Sequence, residues 1–134
     1  MLLEIQELME SYQKWLKDRT TLREVNDWVE ITTPYLDRHN DHLQLYARSD
    51  RGSITMTDDG YTIRDLEVSG CNMSTPKRQE LLKTVLNGFG VRINQGNLEV
   101  SATAENFGQR KHSLVQAVIA VNDLFYLADP MIRS

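Results

Sequence analysis

Apolar side chains recur at helical spacing in three stretches of the chain. The first stretch predicts a helix over residues 2 to 18 and has its apolar face formed by Ile5, Leu8, Tyr12, Trp15 and Leu16. The second begins at a hydroxyl and proline start signal, Ser74-Thr75-Pro76, and ends at Gly88 and Gly90. The third helix is predicted over residues 109 to 128. One helix is therefore predicted near the start of the sequence, one in its middle and one near its end.

Alternating apolar and polar residues predict five strands between these helices. The strands cover residues 28 to 35, 42 to 47, 53 to 57, 91 to 94 and 98 to 102. Asp50-Arg51-Gly52 and Gln95-Gly96 are hairpin turns. Thr62 with Asp65 three residues later resembles the cap of a short helix that ends near Gly70.

The order of elements is therefore α-β-β-β-α-α-β-β-α, with the first of the two central helices short. This order predicts an α+β fold, in which a five-stranded, mainly antiparallel sheet carries its helices on one face. A length of 134 residues is that of one domain, and we expect a single domain over residues 1 to 134.

The composition of the chain disfavours several classes of function. A formal net charge of −4 makes nucleic acid unlikely as a general ligand. The single cysteine, Cys71, forms no internal disulfide and suits a reducing compartment, so we expect a cytoplasmic protein. Glutamates interrupt the N-terminal apolar stretch, which therefore predicts neither a signal peptide nor a membrane span. No cofactor motif is found.

Four aspartates form the one candidate for catalytic chemistry. Asp37 and Asp41 follow the first predicted strand, and Asp58 and Asp59 follow the third, so a meander brings them to the same edge of the sheet. Converging carboxylates hold divalent metals in nucleases. However, the intervening strand has Gln44 and Tyr46 where a restriction-type nuclease has an acid and a lysine. The alternative is that these aspartates cap tight turns, and we favour it.

Two polar segments are candidates for binding. The loop after the first strand contains Arg38, His39 and Asn40 between the aspartates. Arg110 and Lys111 lie at the start of the last helix, where cations oppose the helix dipole and so suggest either an anionic partner or a solvated helix entrance.

The last helix carries apolar residues on more than one side. Val115 and Ile119 fall outside the face formed by Leu114, Val118 and Val121, so a single contact with the sheet is expected to leave them exposed. Either the first helix covers them within the same chain, or they form a homodimer or another protein interface.

Several phrases of the sequence resemble a bacterial and phage family known as domain of unknown function 1828. The resembling segments are residues 33 to 41, 57 to 63, 66 to 70, 88 to 91 and 107 to 116. The resemblance spans roughly residues 20 to 125 and implies a cytoplasmic protein often associated with prophages and mobile elements. It carries no established activity. The order of elements alone also resembles that of class I type III secretion chaperones.

The absence of catalytic motifs and the apolar surface of the last helix together favour a protein-binding function. We expect a non-enzymatic regulator or inhibitor that is encoded by a phage or mobile element and acts on a protein partner. A metal-dependent nuclease that uses Asp37, Asp41, Asp58 and Asp59 is one alternative. A secretion-type chaperone for an effector protein is another.

Overall fold

The computed structural model describes residues 1 to 127, which contain helices at both ends and a sheet between them. The helices are α1 (Leu2–Asp18), α2 (Tyr61–Val68), α3 (Pro76–Phe89), α4 (Phe107–Asn122) and α5 (Leu124–Leu127). The strands are β1 (Thr21–Val25), β2 (Trp28–Leu36), β3 (His42–Asp50), β4 (Ser53–Thr57), β5 (Arg92–Asn94) and β6 (Asn97–Ala102). The α+β class is confirmed.

The strands form one antiparallel sheet in the order β1-β2-β3-β4-β6-β5. The sheet has six strands where the sequence predicts five, because β1 forms a hairpin with β2 that the pattern of apolar and polar residues does not indicate. Asn26 begins the two-residue turn of that hairpin with a positive φ of 56°, a conformation that asparagine tolerates better than most residues.

The two predicted hairpins are both confirmed. Arg51 and Gly52 join β3 to β4, and Gln95 and Gly96 join β5 to β6. Each pair has positive φ at both positions, as a two-residue turn of the primed type requires.

One face of the sheet is apolar and faces the helices. The buried residues on this face come from four strands and are Ile31, Leu43, Leu45, Met56, Leu98, Val100 and Ala102. Helix α4 packs on β4 and β6, and α2 and α3 pack against α4. A single cluster of buried apolar side chains joins the sheet to α2, α3 and α4.

The predicted start and end of α3 are confirmed. The Thr75 hydroxyl accepts a hydrogen bond from Arg78 N, Pro76 is the first helical residue, and Gly90 ends the helix in the left-handed conformation. The predicted cap of α2 is wrong. No bond joins Thr62 to Asp65; instead, Asp58 Oδ2 accepts a hydrogen bond from Thr62 N at 3.0 Å.

The last helix is buried inside the chain, which corrects the prediction that it exposes several apolar residues. Val115 is 4% exposed, and Ile119 is half-buried against the core. Val115 is therefore not available for the predicted homodimer interface, and Ile119 is available only in part. The helix breaks at Asp123 into α4 and α5, and the predicted end at Ala128 lies outside the described residues.

Within residues 1 to 127, the first helix does not shield the last helix, so that alternative is also wrong. None of the residues of α1 is buried, although the helix carries a row of apolar side chains. Within residues 1 to 127, no helix is both long enough and apolar enough to cross a membrane.

Candidate functional site

A cleft of about 460 Å³ lies where β4 ends and α2 begins, beside the loop between β2 and β3. We call it the acidic cleft. All four predicted aspartates line it, together with Tyr61 and Arg64 of α2, Tyr46 and Gln44 of β3, and Val118 of α4. The predicted convergence of the two acidic segments at one edge of the sheet is therefore present.

The carboxylate of Asp37 accepts hydrogen bonds from within its own loop. Its Oδ1 accepts hydrogen bonds from His39 N at 2.8 Å and from Asp41 N at 3.0 Å. Asn40 occupies the left-handed region with a φ of 61°, which lets the loop close. Asp37 therefore shapes the β2–β3 loop, as the turn interpretation predicts.

Asp58 is committed to three backbone amides from different segments. Its Oδ1 accepts hydrogen bonds from Gly60 N and Leu98 N, both at 2.9 Å, and its Oδ2 accepts one from Thr62 N. The residue is only 2% exposed. A buried carboxylate needs such donors, and here they tie the end of β4 to α2 and β6.

Asp41 and Asp59 differ from the other two acids. Both are exposed, and neither carboxylate has a hydrogen bond or ion pair with any residue in the described part of the chain. Residues 1 to 127 contain no group of three or more His, Cys, Asp or Glu side chains arranged to hold a metal ion. The cleft thus contains two carboxylates without a partner in the described residues, those of Asp41 and Asp59. The other two carboxylates, those of Asp37 and Asp58, accept hydrogen bonds from backbone amides.

Two tyrosines and one arginine of the cleft were not predicted as site residues. Burial raises the pKa of Tyr61 above its ordinary value, and the negative charges of Asp65, Asp37 and Asp41 raise it further. Tyr61 belongs to the segment 57 to 63 that resembles the family, and this resemblance is the sequence signal that could have identified Tyr61 as a site residue. Arg64 follows one turn later on the same helix and also lines the cleft.

Tyr46 lies on the other side of the cleft, on the sheet face away from the core. Its hydroxyl donates a hydrogen bond to Glu30 Oε2 at 3.2 Å. Burial, followed by this bond and the charge of Glu30, raises the pKa of Tyr46. Tyr46 and Tyr61 therefore both keep a neutral hydroxyl at physiological pH.

The edge of β3 is open next to the cleft. β4 ends opposite Tyr46, so residues 42 to 45 have no strand neighbour on that side. Leu43 and Gln44 of this stretch line the cleft. A strand edge without a neighbour is a place where another extended chain can pair.

The side chains of Arg38 and His39 contact other residues of the fold, which argues against the predicted binding role. Arg38 Nη2 donates hydrogen bonds to Asp65 Oδ2 at 2.9 Å and to Ser69 Oγ at 2.7 Å. His39 Nε2 lies 3.0 Å from Asp65 Oδ1. The Arg38 guanidinium also lies 4.2 Å from the ring centre of Phe125. Asn40 of the same loop is exposed.

Arg110 and Lys111 lie far from that loop. Arg110 is in the first turn of α4 and donates from Nε to Ser101 O at 3.2 Å. Lys111 is half-buried, and this burial lowers its pKa. The loop instead meets the last residue of α4, since Arg38 N donates to Asn122 Oδ1 at 2.9 Å. The two predicted binding segments are therefore about 18 Å apart along the helix and form no common surface.

The family model described as Domain of unknown function DUF1828 matches residues 33–121, which is more than half of the chain. The chain belongs to this family. The DUF1828 match includes the four aspartates, both tyrosines and Arg64 of the acidic cleft, and it leaves α1 and β1 outside. No curated protein and no solved structure is similar enough to the chain to count as a match.

Proposed function

We propose that this DUF1828 protein is a non-enzymatic, protein-binding regulator or inhibitor whose acidic cleft receives a basic side chain of its partner. The observation that carries the proposal is the charge of the cleft, which is lined by four aspartates and one arginine. The negative charge of the cleft attracts a cationic partner and repels phosphate groups, so a nucleic-acid ligand is disfavoured.

The arrangement of the acids supports recognition. Asp37 and Asp58 are held by backbone amides and fix the shape of the cleft, whereas Asp41 and Asp59 offer free carboxylates. A partner then binds to a surface that is already organised and loses little free energy in ordering it.

The tyrosines favour arginine over lysine in the partner. Tyr46 and Tyr61 both line the cleft beside the free carboxylates of Asp41 and Asp59. A guanidinium group binds a carboxylate through two parallel hydrogen bonds and stacks on aromatic rings, which an ammonium group does less well.

The open edge of β3 supports an extended partner segment. Residues 42 to 45 have a sheet neighbour on one side only, and Gln44 also borders the cleft. A peptide that pairs with this edge gains main-chain hydrogen bonds, while its arginine reaches the carboxylates. The partner in this proposal is therefore an extended, arginine-containing segment of another protein. A regulator carried by a phage or mobile element and acting in the cytoplasm is the form of the proposal that suits the family resemblance.

The test compares three versions of the chain in capture from native lysate and in binding to an arginine-containing peptide. These are the wild type, Asp41→Asn with Asp59→Asn, and the control Asp27→Asn with Asp50→Asn. The control removes two acids from hairpin positions outside the cleft. We expect the cleft variant to bind at least about tenfold more weakly, while the control binds like the wild type.

Three results would contradict the proposal. The first is equal binding by the cleft variant and the wild type. The second is cleavage of plasmid or RNA in magnesium or manganese that the cleft substitutions abolish, which would establish the nuclease alternative. The third is binding of unfolded peptides without preference for arginine over glutamine, which would fit a secretion-type chaperone.

A further inference from the structure

The open edge of β3 is closed at one end by the chain itself. β4 pairs with β3 as far as Thr57, which is level with Tyr46. Asp58 then continues the pairing with β6 through its backbone N–H, so it lies beside Leu45 before the chain turns into α2. A segment added to this edge therefore lies beside residues 42 to 44 and has one of its ends against Asp58.

The main chain of Gln44 faces this open edge. In an antiparallel strand, the N–H and C=O of one residue point to the same side, and the side alternates from residue to residue. Leu43 O accepts a hydrogen bond from Thr33 Oγ1 of β2 at 2.9 Å, so Leu43 faces β2 and Gln44 faces the cleft. The Gln44 side chain bonds elsewhere, from Nε2 to Thr32 Oγ1 at 3.1 Å. Gln44 thus offers a main-chain donor and a main-chain acceptor to an added segment.

The closed end of the edge has a free carboxylate and a buried hydroxyl. After burial and the contact with Glu30, the charge of Asp59 also raises the pKa of Tyr46, so Asp59 lies at the Tyr46 end. Thr62 lies there too, because its N–H bonds to Asp58 Oδ2. Thr62 lines the cleft and is 1% exposed, yet its Oγ1 has no hydrogen-bond partner in the described part of the chain. A buried hydroxyl without a partner is costly, which indicates that a ligand completes this end of the cleft.

The direction of pairing decides which end of a partner segment lies there. All strand pairs of the sheet are antiparallel, and antiparallel pairing is slightly more stable per residue than parallel pairing. β3 runs from His42 towards Tyr46, so a segment antiparallel to it begins beside Gln44 and leaves the cleft beside His42. A parallel segment would instead place its terminal carboxylate next to Asp58 and Asp59, and like charges repel each other. The closed end therefore suits an amino terminus.

We propose that the acidic cleft binds the amino terminus of its partner, with the first residue of the partner beside Gln44 and the α-ammonium group at the closed end. An ammonium group has three donors, and three acceptors are present: Gln44 O, the Asp59 carboxylate and Thr62 Oγ1. The third residue of the partner then lies beside His42, next to Asp41, and is the arginine of the proposed function. This inference rests on the proposed function and specifies which part of the partner the cleft binds.

Calorimetric titration of the chain with a set of synthetic peptides tests the inference. The reference peptide is short and has a free amino terminus, an amidated carboxyl terminus and arginine as its third residue. A second peptide is acetylated at its amino terminus, a third has several alanines added before its first residue, and a fourth has glutamine in place of arginine. We expect the acetylated and extended peptides to bind at least about tenfold more weakly than the reference, because both lose the charge-assisted hydrogen bonds at the closed end.

Two variants of the chain test where the ammonium group binds. Asp59→Asn should weaken binding of the reference peptide about tenfold and leave binding of the acetylated peptide unchanged, because acetylation already removes the charge that Asp59 binds. Thr62→Val should also weaken binding of the reference peptide about tenfold without lowering the urea unfolding midpoint, since a buried hydroxyl without a partner does not stabilise the fold. Asp50→Asn is the matched control, because Asp50 lies at the far end of β3 outside the cleft, and it should bind every peptide like the wild type.

The peptides separate a failure of this inference from a failure of the proposed function. If the acetylated and extended peptides bind as well as the reference while the glutamine peptide binds weakly, the inference is overturned and the proposed function stands. If the glutamine peptide binds as well as the reference, or if no peptide binds, both are overturned. An acetylated peptide with a free carboxyl terminus that binds better than the reference, and loses this advantage in Arg64→Gln, would reverse the direction and overturn the inference as well.

Discussion

The side chains of Arg38 and Asp65 form an ion pair at 2.9 Å between a loop and a helix that are 27 residues apart in sequence. Both side chains are nearly buried, with 7% of the arginine and 12% of the aspartate exposed. Phe125 covers the guanidinium from the other side. This pair fixes the β2–β3 loop against α2 and so holds the two sides of the acidic cleft together.

Arg38→Met should destabilise the fold strongly. The substitution leaves the Asp65 carboxylate largely buried with only His39 beside it, and removing one partner of a buried pair typically costs several kcal/mol. We expect the free energy of unfolding in urea to fall by about 3 kcal/mol.

Two variants serve as controls for this prediction. Arg38→Lys keeps the charge but cannot span Asp65, Ser69 and the Phe125 ring, so it should recover only part of the loss. Lys14→Met removes the exposed Lys14–Asp18 pair and should leave the unfolding midpoint unchanged. A stable Arg38→Met variant would show that the buried pair contributes little.

Asp58→Ala should also destabilise the fold, because it removes the acceptor for the amides of Gly60, Thr62 and Leu98. We expect a loss of about 3 kcal/mol, and roughly half as much for Asp58→Asn, which keeps one acceptor oxygen. The neighbouring substitution Asp59→Asn should have almost no effect on urea unfolding. Equal effects at the two positions would contradict the structural role assigned to Asp58.

Val115→Ala should reduce stability without changing the oligomeric state. Val115 is 4% exposed in the core, so truncating it leaves a small cavity and costs about 2 kcal/mol. Urea unfolding measures the first effect, and light scattering measures the second. A folded Val115→Ala variant whose mass differs from that of the wild type would place an interface on α4.

The pH dependence of stability should reflect Tyr46. Its pKa is raised above the ordinary value of 10.0 in the folded chain, so above that pH the folded state binds more protons than the unfolded state. The contribution is complete below pH 10.0 and is lost as the pH rises towards the folded-state pKa. Tyr46→Phe should flatten this alkaline decline in urea denaturation experiments carried out at several pH values.

The predicted elements of this chain follow from short-range signals. The start of α3 at Thr75 and Pro76 and the turns at Gly52 and Gly96 were predictable, because a cap or a primed turn depends on a few adjacent residues. Strand β1 was not predicted although Asn26-Asp27 is a reasonable turn, since all of its residues except Val25 are exposed and they give no apolar alternation.

The candidate site was predictable in part for the same reason. The meander brought Asp37, Asp41, Asp58 and Asp59 to one edge, as a simple sheet connection requires. Which of these acids is free depends on the backbone amides that reach them, and one of those amides, Leu98 N, comes from 40 residues away. Sequence spacing contains no information about such a contact.

By itself, the sequence determined the α+β class, the hairpins and the meeting of the two acidic segments, because each depends on local periodicity or on turn residues. Only the tertiary structure decided that Val115 is buried in the core and that, within residues 1 to 127, the apolar side of α1 is left uncovered. Both α4 and α1 have apolar residues at helical spacing. This periodicity shows that the apolar face of each helix must be covered, but it does not show which part of the protein covers it. The answer depends on the order of strands in the sheet and on where α3 packs, which are relationships between distant parts of the chain.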